Sequence, residues 1–358
     1  IFFRVFPSMS RSFLSFNIHD GAQEAIVHGY KNGILRSEDY TNISQCDTLE
    51  DMKLHLAGTD YGNFLQNEAS LSSKVITERA LDRLVTEFNE LRSGADQPLA
   101  QFLDFITYEF MIANVLKLIS GARSGRETLD LLYKCHPLGL FEGIGALTAA
   151  TSPDDMYEIV LIDSPLGQFF QRTEKKDFDE FSMEYIRSLL CKNYYEHFYD
   201  FCRELGGETW EVMSQILDFE ADRSVITLTR NTYGVKELQK EDRKKLFPGL
   251  GKLVDIHDDL AACEDDDALK EKLRNFPEFL ELVEATGGVD EAGLTNLENR
   301  FMSAAAQLHK DSLARQFHYG IFYSWVKLRE LEVNNLMWIS ECILQNMKHR
   351  INEYIPIY

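Results

Sequence analysis

An all-α fold is the reading this sequence supports, and three observations carry it. The stretch from Gln316 to Arg350 holds an unbroken helical pattern, with one Gly near its start and no Pro before Pro356. At about 1.5 Å per residue, roughly 35 residues would make a rod of roughly 50 Å. Long helical patterns also come in pairs, at about 70–92 with 98–121, 178–205 with 208–231, and 290–312 with 316–350. Finally, only 8 Pro are spread over 358 residues, no low-complexity tract occurs, and hydrophobic residues make up 44 %, enough for sizeable cores.

Taken in order, residues 17–30 read as a first helix beginning near Asp20 and Gly21, followed by a turn at Asn32-Gly33. Ser37 starts a short helix, and Thr48 opens another, with Glu50 and Asp51 at its positive end. That helix stops at Gly58, and Gly94 and Pro98 separate the first long pair. A turn at Pro137 and Gly139 precedes a short helix, and Ser152-Pro153-Asp154-Asp155 opens one with Ser as cap and Pro in the first turn. The second long pair is broken at Gly206-Gly207. A third turn at Pro248-Gly249 precedes an acidic helix start at Asp265 to Asp267, which stops near Phe276-Pro277, and Gly287-Gly288 leads into the last pair.

The order repeats three times. Gly33 to Asp51, Pro137 to Asp155 and Pro248 to Asp266 are each 18 residues apart. The second long helix of each pass carries an acid and a polar residue five later: Glu109 with Asn114, Asp222 with Thr227, Glu330 with Asn335. The expected organisation is an N-terminal extension over 1–16 and three helical units over 17–125, 126–232 and 233–358, the last with the long C-terminal helix. Similar helical units joined head to tail tend to close into a ring or funnel. The alternative is an irregular helical protein without internal symmetry.

The C-terminal pattern is apolar over most of its circumference, as in a buried helix. One row runs Ile321, Trp325, Leu328, Glu332, Asn335, Ile339, Cys342 and Asn346; a parallel row runs Val326, Glu330, Val333 and Met337. Lys327, Asn334, Glu341, Gln345 and Lys348 form a polar strip that encloses Trp338. A buried carboxylate is costly unless paired. Arg329 is too close to Glu330 to face it, so the partners of these acids are expected on another helix. A structural ion pair and a contact with a partner protein are both open readings.

The net charge of −21 argues against nucleic acid, whose phosphates need a basic surface, and against direct adhesion to anionic lipid. The cysteines at 46, 135, 191, 202, 263 and 342 form no CxxC and read as free, mostly buried thiols. No segment reaches the roughly 18 uncharged apolar residues of a membrane span. The first sixteen residues carry Arg, Ser and Phe without an acid, like a weak transit peptide. A start at or near Met9 with a loosely docked N-terminus is expected.

Catalytic motifs are scarce. Gly249-Leu250-Gly251-Lys252-Leu253 looks superficially like a phosphate loop, but Leu246 and Leu253 stand where that motif needs a Gly and a hydroxyl. Ser120 to Gly125 lacks the order of a nucleophile elbow, and no HxxxH or HExxH pair marks a metal site. Cys135-His136 reads as a turn, and the acidic run from Cys263 to Asp267 as a helix N-terminus rather than a calcium loop. Glu220, Asp222 and Arg223 lie in an otherwise apolar helix. They serve either as an internal ion pair or, in an enzyme, as paired carboxylates, which a deep wet pocket around Glu220 and Asp222 would favour.

Several stretches carry a resemblance: FNIHDGAQEAIVHGYKNGIL, CDTLEDMKLHLAGTDYGNFL, FITYEFMIANV, KCHPLGLFEGI, LDFEADRS and RELEVNNLMWISECILQN. From about Phe16 to Tyr358 the chain resembles the family of subunit d of the eukaryotic V-type proton-pumping ATPase, which has a related counterpart in archaeal and bacterial rotary ATPases. The combination of TDYGNFL, CHPLG, FEADR and NLMWISEC is specific. The resemblance implies a funnel of three pseudo-threefold-related units seated on the cytoplasmic face of a rotating proteolipid ring. That face would belong to an endomembrane of the vacuole, lysosome, endosome or Golgi type. The hollow would receive the foot of the central shaft, making the chain a coupling collar with no active site, cofactor or metal of its own. The implied partners are proteolipid ring subunits, central-shaft subunits of the catalytic head and other membrane-sector subunits. Nucleic acid is not among them, and the membrane is reached only through proteins. Asp222 and Arg223 match the FEADR element, and Glu330, Glu332, Asn335, Trp338 and Cys342 match the C-terminal motif. The chain departs from the family at Ser224 and Thr227, where Arg and Asn are expected, and residues 1–8 have no counterpart. Two other classes compete: a helical-repeat adaptor for an unrelated protein, which would not co-purify with proteolipids, and a small-molecule enzyme.

Overall fold

The computed structural model describes residues 13–65, 67–68, 70–124, 128–148, 164–170, 183–235, 238–284 and 291–358. Among them every regular element is a helix, and no strand occurs. The chain is all-α, as its periodicity predicts. The expected helix opening at Ser152, the Gly287-Gly288 gap and the N-terminal extension up to residue 12 lie outside the described residues.

The chain divides into two compact units. The first comprises residues 10–100, 207–212 and 286–358, and the second 101–206 with 213–285. The first unit is built round the C-terminal helix. Its other long members are α6 (Ser73–Ser93) and α16 (Glu291–Ala314), with α1 (Phe13–His19), α2 (Gly21–Lys31), α3 (Ser37–Ser44), α4 (Leu49–Leu56) and α5 (Gly62–Leu65) before them. The predicted start signals hold: Thr48 Oγ1 accepts the Asp51 N–H at 3.1 Å, and Asp51 returns the bond to the Thr48 N–H.

The C-terminal helix, α17, spans Gly320–Leu344 and is shorter than the sequence pattern implies. Phe317 sits at φ 65° before it, and Asn346 at φ 55° after it. The Met347 N–H bonds to Cys342 O at 2.8 Å and the Asn346 N–H to Ile343 O at 3.2 Å, the paired bonds of a Schellman stop with Asn in the left-handed position. A short 3-10 turn, Lys348–Glu353, follows. Apolar periodicity could not reveal this stop, because Met347 still packs on the core after the chain has turned. The helix is buried nearly all round, and Trp325, Leu328, Leu336 and Ile339 are fully enclosed. Each such side chain contributes about 1.5–3 kcal/mol relative to exposure. The first predicted helix is split at Asp20, whose backbone leaves the helical region at φ −121°.

The second unit holds α7 (Leu99–Arg123, mostly in this unit), α8 (Thr128–Leu132), α9 (Gly167–Phe170), α10 (Met183–Leu205) and α11 (Gly207–Asn231, in this unit from Met213 onward). Next come α12 (Lys240–Leu246), α13 (His257–Leu260), α14 (Asp266–Lys272) and α15 (Pro277–Glu284). Helices α12, α13 and α15 were not expected; Pro277 begins a helix instead of ending one, since a missing N–H costs nothing in a first turn. Stacked rings bind α7 to α10: Phe105 lies 5.0 Å from Phe198 and 4.8 Å from Phe201. The acidic start of α14 is held by Arg230, which donates to both oxygens of Asp266 at 2.9 and 2.8 Å.

Candidate functional site

On α17 the two acids behave differently. Glu332 is fully enclosed, and its carboxylate accepts the Leu35 N–H at 2.5 Å, Arg329 Nη1 at 2.7 Å and the Tyr61 hydroxyl. Arg329, only 1 % exposed, also faces Glu87 at 3.5 Å and Asp60 at 3.9 Å and donates to Gly33 O at 3.2 Å. Arg83 closes the cluster through Glu87 at 2.8 Å and Asp60 at 2.7 Å. Burial opposes the Arg329 charge, but Tyr61, Glu332 and Glu87 outweigh it, so the guanidinium holds its proton more tightly than usual. Burial raises the Glu87 carboxyl above its ordinary value, against Arg329 and Arg83. Gly33 is required here: a Cβ would lie 1.7 Å from Asp60 Oδ2.

Glu330 is half-exposed and pairs with Lys327 on its own helix at 3.2 Å. The sequence expectation that both acids find partners on another helix is therefore corrected. Each has a cation three residues earlier on the same face, and Glu332 adds the Leu35 N–H and the Tyr61 hydroxyl from segments far away in sequence. The i,i+3 spacing of Arg329 with Glu332 is the signal in the sequence that could have found this pair.

Asn335, 3 % exposed, clamps the C-terminal tail, donating to Ile355 O at 2.6 Å and accepting from Ile355 N at 3.0 Å. Asn114 on α7 makes the same two bonds to His136, at 2.9 and 2.7 Å. So Cys135-His136 is a pinned turn, and the His136 ring stacks on Phe110 at 4.1 Å. Trp338 is half-buried, donates to Arg350 O at 3.2 Å and lies under the Arg350 guanidinium at 5.0 Å.

On α11, Asp222 is wholly buried and accepts the N–H groups of Lys252 at 2.8 Å and Leu253 at 3.0 Å. Asp218 takes Gly251 N–H at 3.0 Å and Glu196 takes Gly249 N–H at 2.8 Å. The loop that looked like a phosphate cradle is thus filled by the chain's own carboxylates. Gly251, at φ 103°, is required, since a Cβ would meet Asp222 Oδ1 at 2.3 Å. Burial pushes Asp222 up to about 7, opposed by the two backbone bonds. Sequence reasoning missed Asp218 and Glu196, because nothing local marks an acid that binds a loop more than thirty residues away.

Arg223 reaches Glu220 at 3.2 Å. Both line a cavity of about 220 Å³ between α7, α10 and α11, together with Glu109, Tyr195, Ser224 and Thr227. The cavity contains Glu220 but not Asp222, so the two acids do not form the paired carboxylates considered from sequence. Among the described residues no group of three or more His, Cys, Asp or Glu could hold a metal ion, and no helix is long and apolar enough to cross a membrane. The six cysteines are unpaired, and five are buried. Asp222, Glu332 and Asn335 work inside the chain, whereas Arg223, Glu330 and Trp338 reach the surface.

Residues 23–354 match the family described as ATP synthase (C/AC39) subunit. The chain is 44 % identical over 347 residues to V-type proton ATPase subunit d of Dictyostelium discoideum, covering 96 % of each chain. It is 40 % identical to subunit d1 of Arabidopsis thaliana, over 96 % of this chain and 97 % of that one. With subunit d of Saccharomyces cerevisiae the identity is 38 %, over 96 % of this chain and 99 % of that one. A specific motif set, an all-helical fold and near full-length similarity agree: the chain belongs to the V-type proton ATPase subunit d family.

Proposed function

We propose that this chain is a non-catalytic rotor subunit of a V-type ATPase, seated on the cytoplasmic face of the proteolipid ring and passing shaft rotation to proton transport. The observation that carries the proposal is its near full-length similarity to chains named V-type proton ATPase subunit d. The interior supports a mechanical role: an enclosed ionic cluster fastens α17 to the turn at Gly33 and to α6, which suits a part that must turn without deforming. Its partners are then ring proteolipids, shaft subunits and other membrane-sector subunits, with membrane contact through protein alone, at a vacuole-, lysosome-, endosome- or Golgi-type membrane. We read residues 17–125, 126–232 and 233–358 as three related modules of a funnel; the clamp repeated by Asn114 and Asn335 supports the kinship of the first and third.

The test is purification of the tagged chain from its own membranes. Proteolipids and shaft subunits should co-purify, and images of the assembly should place the chain between ring and shaft. Glu330→Gln or Trp338→Ala should weaken assembly or coupling while ATP hydrolysis by the released head is unchanged. Purification with unrelated proteins and no proteolipid would make the chain an adaptor.

A further inference from the structure

We propose that Asn32-Gly33 is a self-modification site, where the asparagine converts to aspartate or isoaspartate, and that the ionic cluster round Arg329 holds it shut in the folded chain. It is the one Asn-Gly pair in the 358 residues. The chemistry needs only water. The Gly33 backbone nitrogen, having given its proton to hydroxide, attacks the side-chain carbonyl carbon of Asn32. An imide ring closes, the bond to the amide nitrogen breaks, and that nitrogen leaves as ammonia. Water then adds to either ring carbonyl and breaks its bond to the ring nitrogen. One opening leaves aspartate. The other leaves isoaspartate, whose main chain runs through the former side chain and is one carbon longer.

Packing imposes the reactive pair. Glycine obstructs ring closure least, because no Cβ crowds the attacking nitrogen. Position 33 accepts nothing else: a Cβ there would lie 1.7 Å from Asp60 Oδ2 and 3.1 Å from Arg329 Nη2. Asn32 is exposed, so water reaches the ring once it forms.

Three features of the fold oppose closure. Asn32 is the C-cap of α2 at φ −66° and ψ −19°, and the ring forms only after rotation out of that helical conformation. The Gly33 N–H donates to Tyr30 O at 3.0 Å, so the attacking nitrogen must first leave a hydrogen bond. Arg329, itself tied to Glu332 at 2.7 Å, donates to Gly33 O at 3.2 Å and to Tyr30 O at 3.4 Å, which holds both ends of the turn. Modification therefore runs through a transient opening of this turn, and its rate follows the open fraction. The product then works against reclosure. The carbon that isoaspartate adds between α2 and Gly33 displaces the Gly33 carbonyl from Arg329 and the Leu35 N–H from Glu332, which it meets at 2.5 Å.

The full chain is aged in mildly alkaline buffer, both folded and unfolded in guanidinium chloride. The peptide holding Asn32 is followed by mass spectrometry, with enzymatic methylation of isoaspartate as a second readout. The unfolded chain should modify at Asn32 at least about tenfold faster than the folded one. Arg329→Met, assayed where its helical circular dichroism is retained, should modify several-fold faster than folded wild type. Asn32→Ser removes the amide at an exposed position. Aged until wild type is largely converted, it should keep the urea midpoint that aged wild type loses. No product in the unfolded chain, equal rates folded and unfolded, an Arg329→Met rate equal to wild type, or an equal loss of midpoint in aged Asn32→Ser overturns the proposal.

Discussion

Replacing Arg329 with Met tests what holds α17 in place. Methionine keeps the length and apolar stem of the side chain and removes the charge. Glu332 would be left fully enclosed with two neutral donors, the Leu35 N–H and the Tyr61 hydroxyl, while Glu87 keeps Arg83 at 2.8 Å. Removing one partner of a buried pair costs about 3–5 kcal/mol. The remaining donors place this case near the lower end, about 3 kcal/mol. Adding Glu332→Gln strands no charge and keeps a side-chain oxygen that can accept from the Leu35 N–H or the Tyr61 hydroxyl, so the double variant should recover about 2 kcal/mol of that loss. All three tryptophans, Trp210, Trp325 and Trp338, lie in the first unit, so urea unfolding followed by indole fluorescence reports on this unit. An Arg329→Met variant within about 0.5 kcal/mol of wild type, the ordinary spread for inert surface changes, would refute the reasoning. So would a double variant less stable than the single one.

Asp222 ties stability to pH. Its folded value of about 7 lies above its ordinary 3.8, so the folded state binds the extra proton. Its contribution to stability is therefore full at low pH and is lost as pH rises from about 4 through 7, by at most roughly 1.4 kcal/mol per pH unit. Asp222→Asn should flatten that part of the profile, measured as unfolding midpoints at several pH values; an unchanged slope contradicts the assignment. Gly251→Ala should destabilise the second unit by more than about 1 kcal/mol, through both its φ of 103° and the Asp222 contact, read as a lower midpoint in thermal circular dichroism. Asn346→Ala should cost about 1 kcal/mol by placing at φ 55° a residue without the local polar side chain that lets Asn tolerate the left-handed region, whereas Asn346→Gly should be neutral or better by the same melt. Trp338→Ala should cost about 2 kcal/mol, less than a full core deletion because the ring is half-buried, and hydrogen exchange should rise at residues 348–355, to which its N–H is tied.

Much of this was legible beforehand. Thr48 and Asp265 cap helices where the residue pattern says they should, because a capping side chain bonds within three residues of itself. The inward row of α17 was readable because a helix repeats its faces every three to four residues. What could not be read were partnerships between distant segments. The Gly249–Leu253 loop offers backbone donors in sequence, but only the fold shows that Asp218, Asp222 and Glu196 already occupy them.

The sequence by itself determined the helical class, the enclosed face of the C-terminal helix and kinship with a family, since each is written in local periodicity or contiguous motifs. Tertiary structure alone decided which acid is enclosed, what it bonds to and where a cavity remains. Glu332 meets the Leu35 N–H from 297 residues away. No short-range pattern encodes such a pair, because its energy arises only when packing has excluded water from both groups.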